Sequence, residues 1–213
     1  MSDRWDFSPA DLPPYDCVAS GGTLNVANVL DAYRNGLFPM PDLETNRMYW
    51  WCPVHRGVLY PKDFHVSRSL RRSAKKFTVT FDQAFTEVIT LCADLERDGR
   101  WINDEIKTVY TDLHQLGWAH SVEVWNKQGE LVGGLYGVAI GGLFAGESMF
   151  HLETDASKIA LKAVVDLGVF RLIDVQWLTP HLESLGAVEI DRTQYLRGIS
   201  AIIGPDPTPK SWK

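Results

Sequence analysis

Apolar positions recur along the chain with two periods, and the switches between them mark out the elements. After a turn-rich opening with Pro9, Pro13, Pro14, Gly21 and Gly22, residues Val26, Val29, Leu30 and Tyr33 fall at i, i+3, i+4 and i+7. That spacing predicts a helix capped by Thr23 and ended by Gly36. The run Gly36 to Pro41 cannot continue it, and the aromatic segment Met48 to Pro53 predicts a short strand. Pro53 to Pro61 reads as a junction, dividing the chain into a small N-terminal α/β domain, residues 1–54, and a main domain, residues 55–213.

Helical spacing returns at 67–76 and at about 82–95. Asn103 caps a further helix with Ile106, Tyr110, Leu113 and Leu116 on one side and Gly117 at its end. Strict alternation over His120–Trp125 predicts a strand, Asn126 to Gly129 a turn, and Leu131 to Phe150 a second, long strand interrupted by glycines. Thr154 or Asp155 opens a helix that stops at Gly168, and Leu172–Trp177 is again a strand. A short helix covers about 180–185, and Asp191 with Gln194 makes a capping-box pattern for the last one. Hairpin, helix, strand, helix is the order of an α+β sheet with helices on its faces.

Composition narrows the class. A chain of 213 residues with 45% hydrophobic and 23% charged residues has the usage of a globular protein. No apolar run approaches the roughly 20 residues of a membrane span, and the N-terminus lacks the build of a signal peptide, so a cytoplasmic location is expected. Cys17, Cys52 and Cys92 are odd in number with no C-x-x-C pair, which predicts three reduced thiols and no metal site. Motifs for P-loops, dinucleotide turns, hydrolase elbows and zincins are absent.

The net charge of −6 disfavours a polyanionic partner until its distribution is considered. Phe64 to Phe81 carries Arg68, Arg71, Arg72, Lys75 and Lys76 and no acid, leaving −11 for the rest. On a helical wheel these cations occupy about 140° of arc, opposite Leu70, Ala74 and Phe77. The face is either a solvated surface or a contact for a phosphate backbone; the lack of neutralising carboxylates at i+4 favours the second.

Three further polar residues sit in apolar surroundings. Glu147 lies among Leu143, Phe144, Ala145, Met149 and Phe150, so it is expected to be partly buried and to need a cation or donors. A structural ion pair and an active-site carboxylate both satisfy that need. Asp174 and Gln176 stand two apart in an apolar strand and so share a face, as a substrate-holding pair or a sheet-edge feature. Tyr49, Trp50, Trp51, Trp101 and Trp118 are core, or line an apolar slot that can stack on an unpaired base.

Taken together the strings become specific. Tyr33 to Pro39, Trp50-Trp51-Cys52-Pro53, Arg56 to Leu59, Ser67 to Leu70, Trp101-Ile102, and His120 to Trp125 resemble, in order, the leucyl/phenylalanyl-tRNA–protein transferase family. Gly133 to Val138, Gly146 to Phe150, Ala156 to Lys158 and Leu172 to Gln176 continue the resemblance. It implies transfer of Leu or Phe, and less well Met, from aminoacyl-tRNA to proteins or peptides beginning with Arg or Lys, creating a degradation signal. It also implies a GNAT-like main domain, no cofactor, no membrane and a monomer. Carried over by position, Asp174, Gln176 and Glu147 are the catalytic residues. Trp101, Leu135, Met40, Trp51 and Ser148 form the aminoacyl and adenosine pocket, with Met40 standing where the family frequently has Trp. Arg68, Arg71, Arg72, Lys75 and Lys76 bind tRNA. Glu147 and Asp174 are also the acids available to hold an acceptor's N-terminal Arg or Lys.

Two rival readings remain. An acetyl-CoA-dependent acetyltransferase would need a glycine-rich turn after the long strand, where His151 to Asp155 offers two acids and no glycine. A non-enzymatic RNA-binding module would leave Glu147 and Asp174 without a reason.

Overall fold

A computed structural model describes residues 12–93, 101–204 and 212. The small lobe has β1 (Cys17–Ser20), α1 (Val26–Arg34), β2 (Phe38–Asp42) and β3 (Arg47–Trp51), with the strands ordered β1-β3-β2 in an antiparallel sheet. Tyr33, Val29 and Leu30 face the core as their spacing requires. The cap of α1 is Asn25 rather than Thr23: its side chain accepts from the Asn28 amide, while the Thr23 carbonyl accepts from the Asn28 side chain.

The larger sheet is built from β4 (His55–Leu59), β5 (Thr78–Phe81), β6 (Ala119–Trp125), β7 (Leu131–Ile140), β8 (Leu143–His151), β9 (Leu172–Gln176) and β10 (Val188–Asp191). Its order is β10-β4-β9-β8-β7-β6-β5, antiparallel except for the β8–β9 pair. A parallel pair needs a crossover, and α5 (Ala156–Asp166) supplies it. The remaining helices are α2 (Arg68–Ala74), α3 (Phe85–Cys92), α4 (Asp104–Gln115), α6 (Pro180–Glu183) and α7 (Arg192–Ile203). Side chains of α1, α3, α4 and α7 join one apolar core and those of α2, α5 and α6 join another, so both faces of the sheet are covered. The α+β class is as expected.

Two expectations are corrected. The junction Pro53 to Pro61 contains β4, which pairs with both β9 and β10 well inside the sheet. Its two flanking prolines read as turn punctuation, but they bracket a strand just five residues long. The long strand Leu131 to Phe150 is a hairpin that turns at Gly141-Gly142. Gly141 has φ +57°, and a Cβ there would lie 2.3 Å from the Ile203 carbonyl oxygen, so the turn packs directly on the end of α7. All three cysteines are free thiols, Cys52 and Cys92 buried. No helix among the described residues is long and apolar enough to cross a membrane.

Candidate functional site

β8 and β9 pair over three positions only, Leu143 with Leu172, Phe144 with Ile173 and Ala145 with Asp174, and then part. Beyond that point the gap between two parallel strands holds the side chains that follow, Glu147 on β8 and Gln176 on β9. The carboxyl ends of parallel strands are a recurrent place for a ligand, because the backbone there is no longer paired.

Asp174 and Gln176 are brought together, but through the main chain. The register of β4 against β9 shifts between Gly57 and Val58, and Gln176 takes a left-handed backbone, φ +59°. For a non-glycine residue that costs on the order of 1 kcal/mol. Asp174 Oδ1 stabilises the turn by accepting from the Gln176 backbone N–H at 2.9 Å. Gly57 makes room for it, since a Cβ there would come within 2.7 Å of the Leu178 nitrogen.

Asp174 is fully buried and saturated. Oδ1 also accepts from Arg56 Nε at 2.8 Å, and Oδ2 accepts from Arg56 Nη2 at 2.5 Å and from the Tyr195 hydroxyl at 2.7 Å. A carboxylate has about four acceptor positions, and these four donors fill them. No lone pair is left for the side chain of an incoming Arg or Lys, which corrects the expectation that Asp174 would help to hold it. Burial works against the charge on Arg56, but Asp174 and then Tyr195 outweigh it and raise its pKa above the ordinary arginine value.

Glu147 has different neighbours. It is 9% exposed; Oε1 accepts from Gln176 Nε2 at 3.1 Å and Oε2 from the Tyr110 hydroxyl at 3.2 Å. Tyr110 and Tyr33 share a 2.5 Å hydrogen bond behind it. Burial pushes the Glu147 carboxyl up to about 8, assisted by the nearby Asp174 charge and opposed by the Tyr33 and Tyr110 hydrogen bonds and by Arg56. Two carboxylates thus flank Gln176, one in an ion pair and one lined by neutral hydroxyls, an arrangement that separates acid–base roles.

The pocket residues inferred from the sequence fall into two cavities. Leu135, Ser148, Glu147 and Gln176 line a small one of about 110 Å³, whose apolar walls include Met149, Leu161, Ile173, Val175 and Leu182. Met40, Trp51 and Trp101 line a larger one of about 560 Å³ with Cys17, Pro41, Tyr49 and the acidic Asp42 and Glu44. Trp177 links the two regions: it follows Gln176 in the chain and packs edge-on against Trp51 at 5.7 Å and Phe38 at 5.2 Å. Its indole N–H is held by Asp16 at 3.0 Å.

Arg68, Arg71, Arg72, Lys75 and Lys76 are all exposed, while Leu70 is buried and Ala74 and Phe77 pack on the core. Ser67 caps α2 through the Leu70 amide. Asp155, in a left-handed turn before α5, accepts from Ser73 at 2.8 Å and Lys158 at 3.1 Å and so ties α2 to α5. Among the described residues no three His, Cys, Asp or Glu gather as metal ligands.

Arg56, Tyr195, Tyr33, Tyr110 and Trp177 belong to this site, and the sequence pattern does not mark them as site residues. For Arg56 the available signal was an arginine inside the short apolar run up to Leu59; for the tyrosines, helical spacing showed burial but not what the hydroxyls meet.

A family model described as leucyl/phenylalanyl-tRNA protein transferase matches residues 58–200, and one for the N-terminal domain of the same transferase matches residues 22–54. A leucyl/phenylalanyl-tRNA–protein transferase of Syntrophobacter fumaroxidans is 48% identical over 222 residues, covering 100% of this chain and 94% of its own. Among solved structures, FemX overlaps 65% of this chain and 60% of its own at 12% identity and TM-score 0.48. A GCN5-related N-acetyltransferase from Kribbella flavida overlaps 63% of this chain and 54% of its own at 11% identity and TM-score 0.38.

Proposed function

Because the chain belongs to the leucyl/phenylalanyl-tRNA–protein transferase family, we propose that it moves leucine or phenylalanine, and methionine less well, from aminoacyl-tRNA to proteins beginning with Arg or Lys. The product is a degradation signal made in the cytoplasm. The observation that carries this reading is the Gln176 side chain bound to Glu147 beside an apolar cavity, with its backbone fixed by Asp174.

The ester of an aminoacyl-tRNA is already activated. The acceptor's α-amino nitrogen attacks the ester carbonyl carbon; the C–N bond forms, the C–O bond to the ribose breaks, the nitrogen loses a proton and the ribose oxygen gains one. No nucleotide or cofactor is consumed. An α-amine has a reference pKa of about 7.7–8.0, so on the order of a tenth is neutral at pH 7. Glu147, at about 8, is matched to it and takes the proton with little loss of driving force. Gln176 offers its amide oxygen to orient the amine while its Nε2 holds Glu147. Asp174 acts through Gln176 and is spared proton transfer.

The remaining parts follow from shape and charge. The apolar cavity around Leu135 takes the donor side chain, and such a slot separates donors differing by one methylene by only about 1–3 kcal/mol, hence the leakage to Met. The aromatic cavity of Met40, Trp51 and Trp101 takes the terminal adenosine, and the cationic face of α2 holds the tRNA backbone without reading its sequence. In this reading the lobe of residues 1–54 contributes the aromatic wall and the domain of residues 55–213 the carboxylates.

Incubating the protein with labelled Leu-, Phe- or Met-tRNA and a peptide starting with Arg tests this. Transfer to that peptide, and not to one starting with Ala, is the expected result. No transfer with tRNA binding intact would return the chain to the RNA-binding module.

A further inference from the structure

Arg56 makes more contacts at the site than any residue the reaction directly uses. It is fully buried on β4, binds both Asp174 oxygens, donates to the Gly36 carbonyl at 3.2 Å and approaches the Tyr195 hydroxyl at 3.3 Å. Its guanidinium also lies over the Phe38 ring at 4.8 Å and the Tyr195 ring at 4.4 Å. One planar group therefore meets the turn after α1, the start of β2, the end of β9 and α7.

These contacts point in two functional directions. Through Asp174 Oδ1 they reach the backbone N–H of Gln176, the residue in the left-handed conformation whose amide binds Glu147. Through Phe38 they reach Trp177, and from there Trp51 in the wall of the aromatic cavity. A simple charge balance for Asp174 would need only a point cation. The two-pronged grip, the Gly36 contact and the stacking between two rings need the planar, forked guanidinium that lysine lacks.

We propose that Arg56 is a positioning residue of the transfer reaction: by clamping Asp174 against the turn after α1, it sets where the Gln176 amide and the Glu147 carboxyl stand relative to the reacting groups. This rests on the transfer reading given above. Arg56 touches no substrate; it acts through Asp174 on Gln176 and through Phe38 and Trp177 on the aromatic wall.

The test uses Arg56→Lys, which keeps the charge and loses the fork, and the pair Arg56→Gln/Asp174→Asn, which removes both charges together. Folding is checked by thermal melting. For folded Arg56→Lys the expected result is a fall in kcat of about 100-fold, the size of effect that a misplacement near 1 Å produces, with KM for aminoacyl-tRNA changed by less than about threefold. The Gln176 side-chain amide signal in a ¹⁵N spectrum should move as well. The pH midpoint of activity should stay in place in Arg56→Lys, which keeps the positive charge that lowers the Glu147 value. A merely structural arginine would change stability and leave kcat and the Gln176 amide signal of the folded protein in place.

Wild-type kcat in folded Arg56→Lys overturns the proposal. Should that variant fail to fold, the double variant is compared with Asp174→Asn alone: a kcat no lower than that of the single variant overturns the proposal, and a further kcat loss with an unmoved KM supports it. A wild-type protein that transfers nothing sinks the transfer reading instead; the amide signal then still reports whether Arg56 sets the position of Gln176.

Discussion

Asp174 and Glu147 are carboxylates on neighbouring strands, both reached by Gln176, yet they are solvated by opposite means. Asp174 is met by a buried guanidinium, a hydroxyl and a backbone N–H. Glu147 is met by a tyrosine hydroxyl and an amide, both neutral. The first environment supplies a full countercharge, so that group can serve as a fixed anchor. The second supplies dipoles only, so burial dominates and the carboxyl rises to about 8. Sharing Gln176 thus joins a carboxylate held in a buried ion pair to a group that can change its proton near neutrality.

The strongest way to break this contrast is Asp174→Ala. It leaves Arg56 buried without its partner, for which about 3–5 kcal/mol of stability is the usual cost. In molecules that still fold, the Gln176 turn loses its acceptor, and turnover should drop about 100-fold while tRNA affinity changes little. Equal losses in turnover and affinity would show that Asp174 does not act through Gln176.

Glu147→Gln comes next and should behave in the reverse sense. Transfer should fall by about 100-fold or more at pH 8, a typical loss for an acid–base group, while stability at that pH should rise. The sign follows from linkage. A carboxyl raised from 4.5 to about 8 on folding holds its proton more tightly in the native state. Its contribution is therefore complete below about pH 4.5 and is lost progressively as pH climbs toward 8. Wild-type protein should lose on the order of a few kcal/mol across that window relative to Glu147→Gln, read from urea melts at a series of pH values. Parallel stability profiles for the two proteins would contradict the assigned burial.

The two carboxylates differ little in how they could be found from sequence. Glu147, Asp174 and Gln176 each break an apolar strand pattern, and a polar residue in such a place needs a partner. What could not be read was the partner. Arg56 lies between Pro53 and Pro61, and the strand that carries it is too short, and too uniformly buried after His55, to show alternation. Tyr33 and Tyr110 were legible as helix-core positions through their spacing, but periodicity reports a face and is silent on a hydroxyl at the far end of a ring. The hairpin of β7 and β8 is hidden in the sequence for a related reason. Residues on both faces of the strands are buried, so the alternation that would have marked two separate strands is weak, and only Gly141-Gly142 betrays the turn.

Salt separates buried charge from exposed charge. The Arg56–Asp174 pair has no exposed atoms and is shielded from mobile ions, whereas the five cations of α2 stand in solvent, where screening is effective over about 10 Å at 0.1 M. Transfer efficiency should therefore fall with added salt through tRNA binding, leaving kcat at saturating tRNA unchanged. In Arg71→Ala/Lys75→Ala the slope of log efficiency against log salt should be shallower by about 1–2, one or two phosphate contacts having been removed. An unchanged slope would mean that α2 is a solvated face and that the tRNA docks elsewhere.

The finest comparison removes one hydroxyl from each carboxylate. Tyr110→Phe takes a donor from Glu147 and Tyr195→Phe takes one from Asp174, with ring volume kept in both. A hydrogen bond to the charged form of a carboxylate lowers its pKa, and Glu147 has few such bonds and no direct cation. In Tyr110→Phe the pH midpoint of transfer should move up by about half a unit to one unit, with the plateau at high pH nearly intact, since Tyr33 still stands beside Glu147. In Tyr195→Phe the carboxylate keeps both prongs of Arg56 and the Gln176 N–H, so the midpoint should stay where it is and the loss should be of stability, about 1 kcal/mol. Equal shifts in both variants would mean that the two carboxylates titrate as one coupled pair, and Asp174 would then lose its place as a fixed anchor.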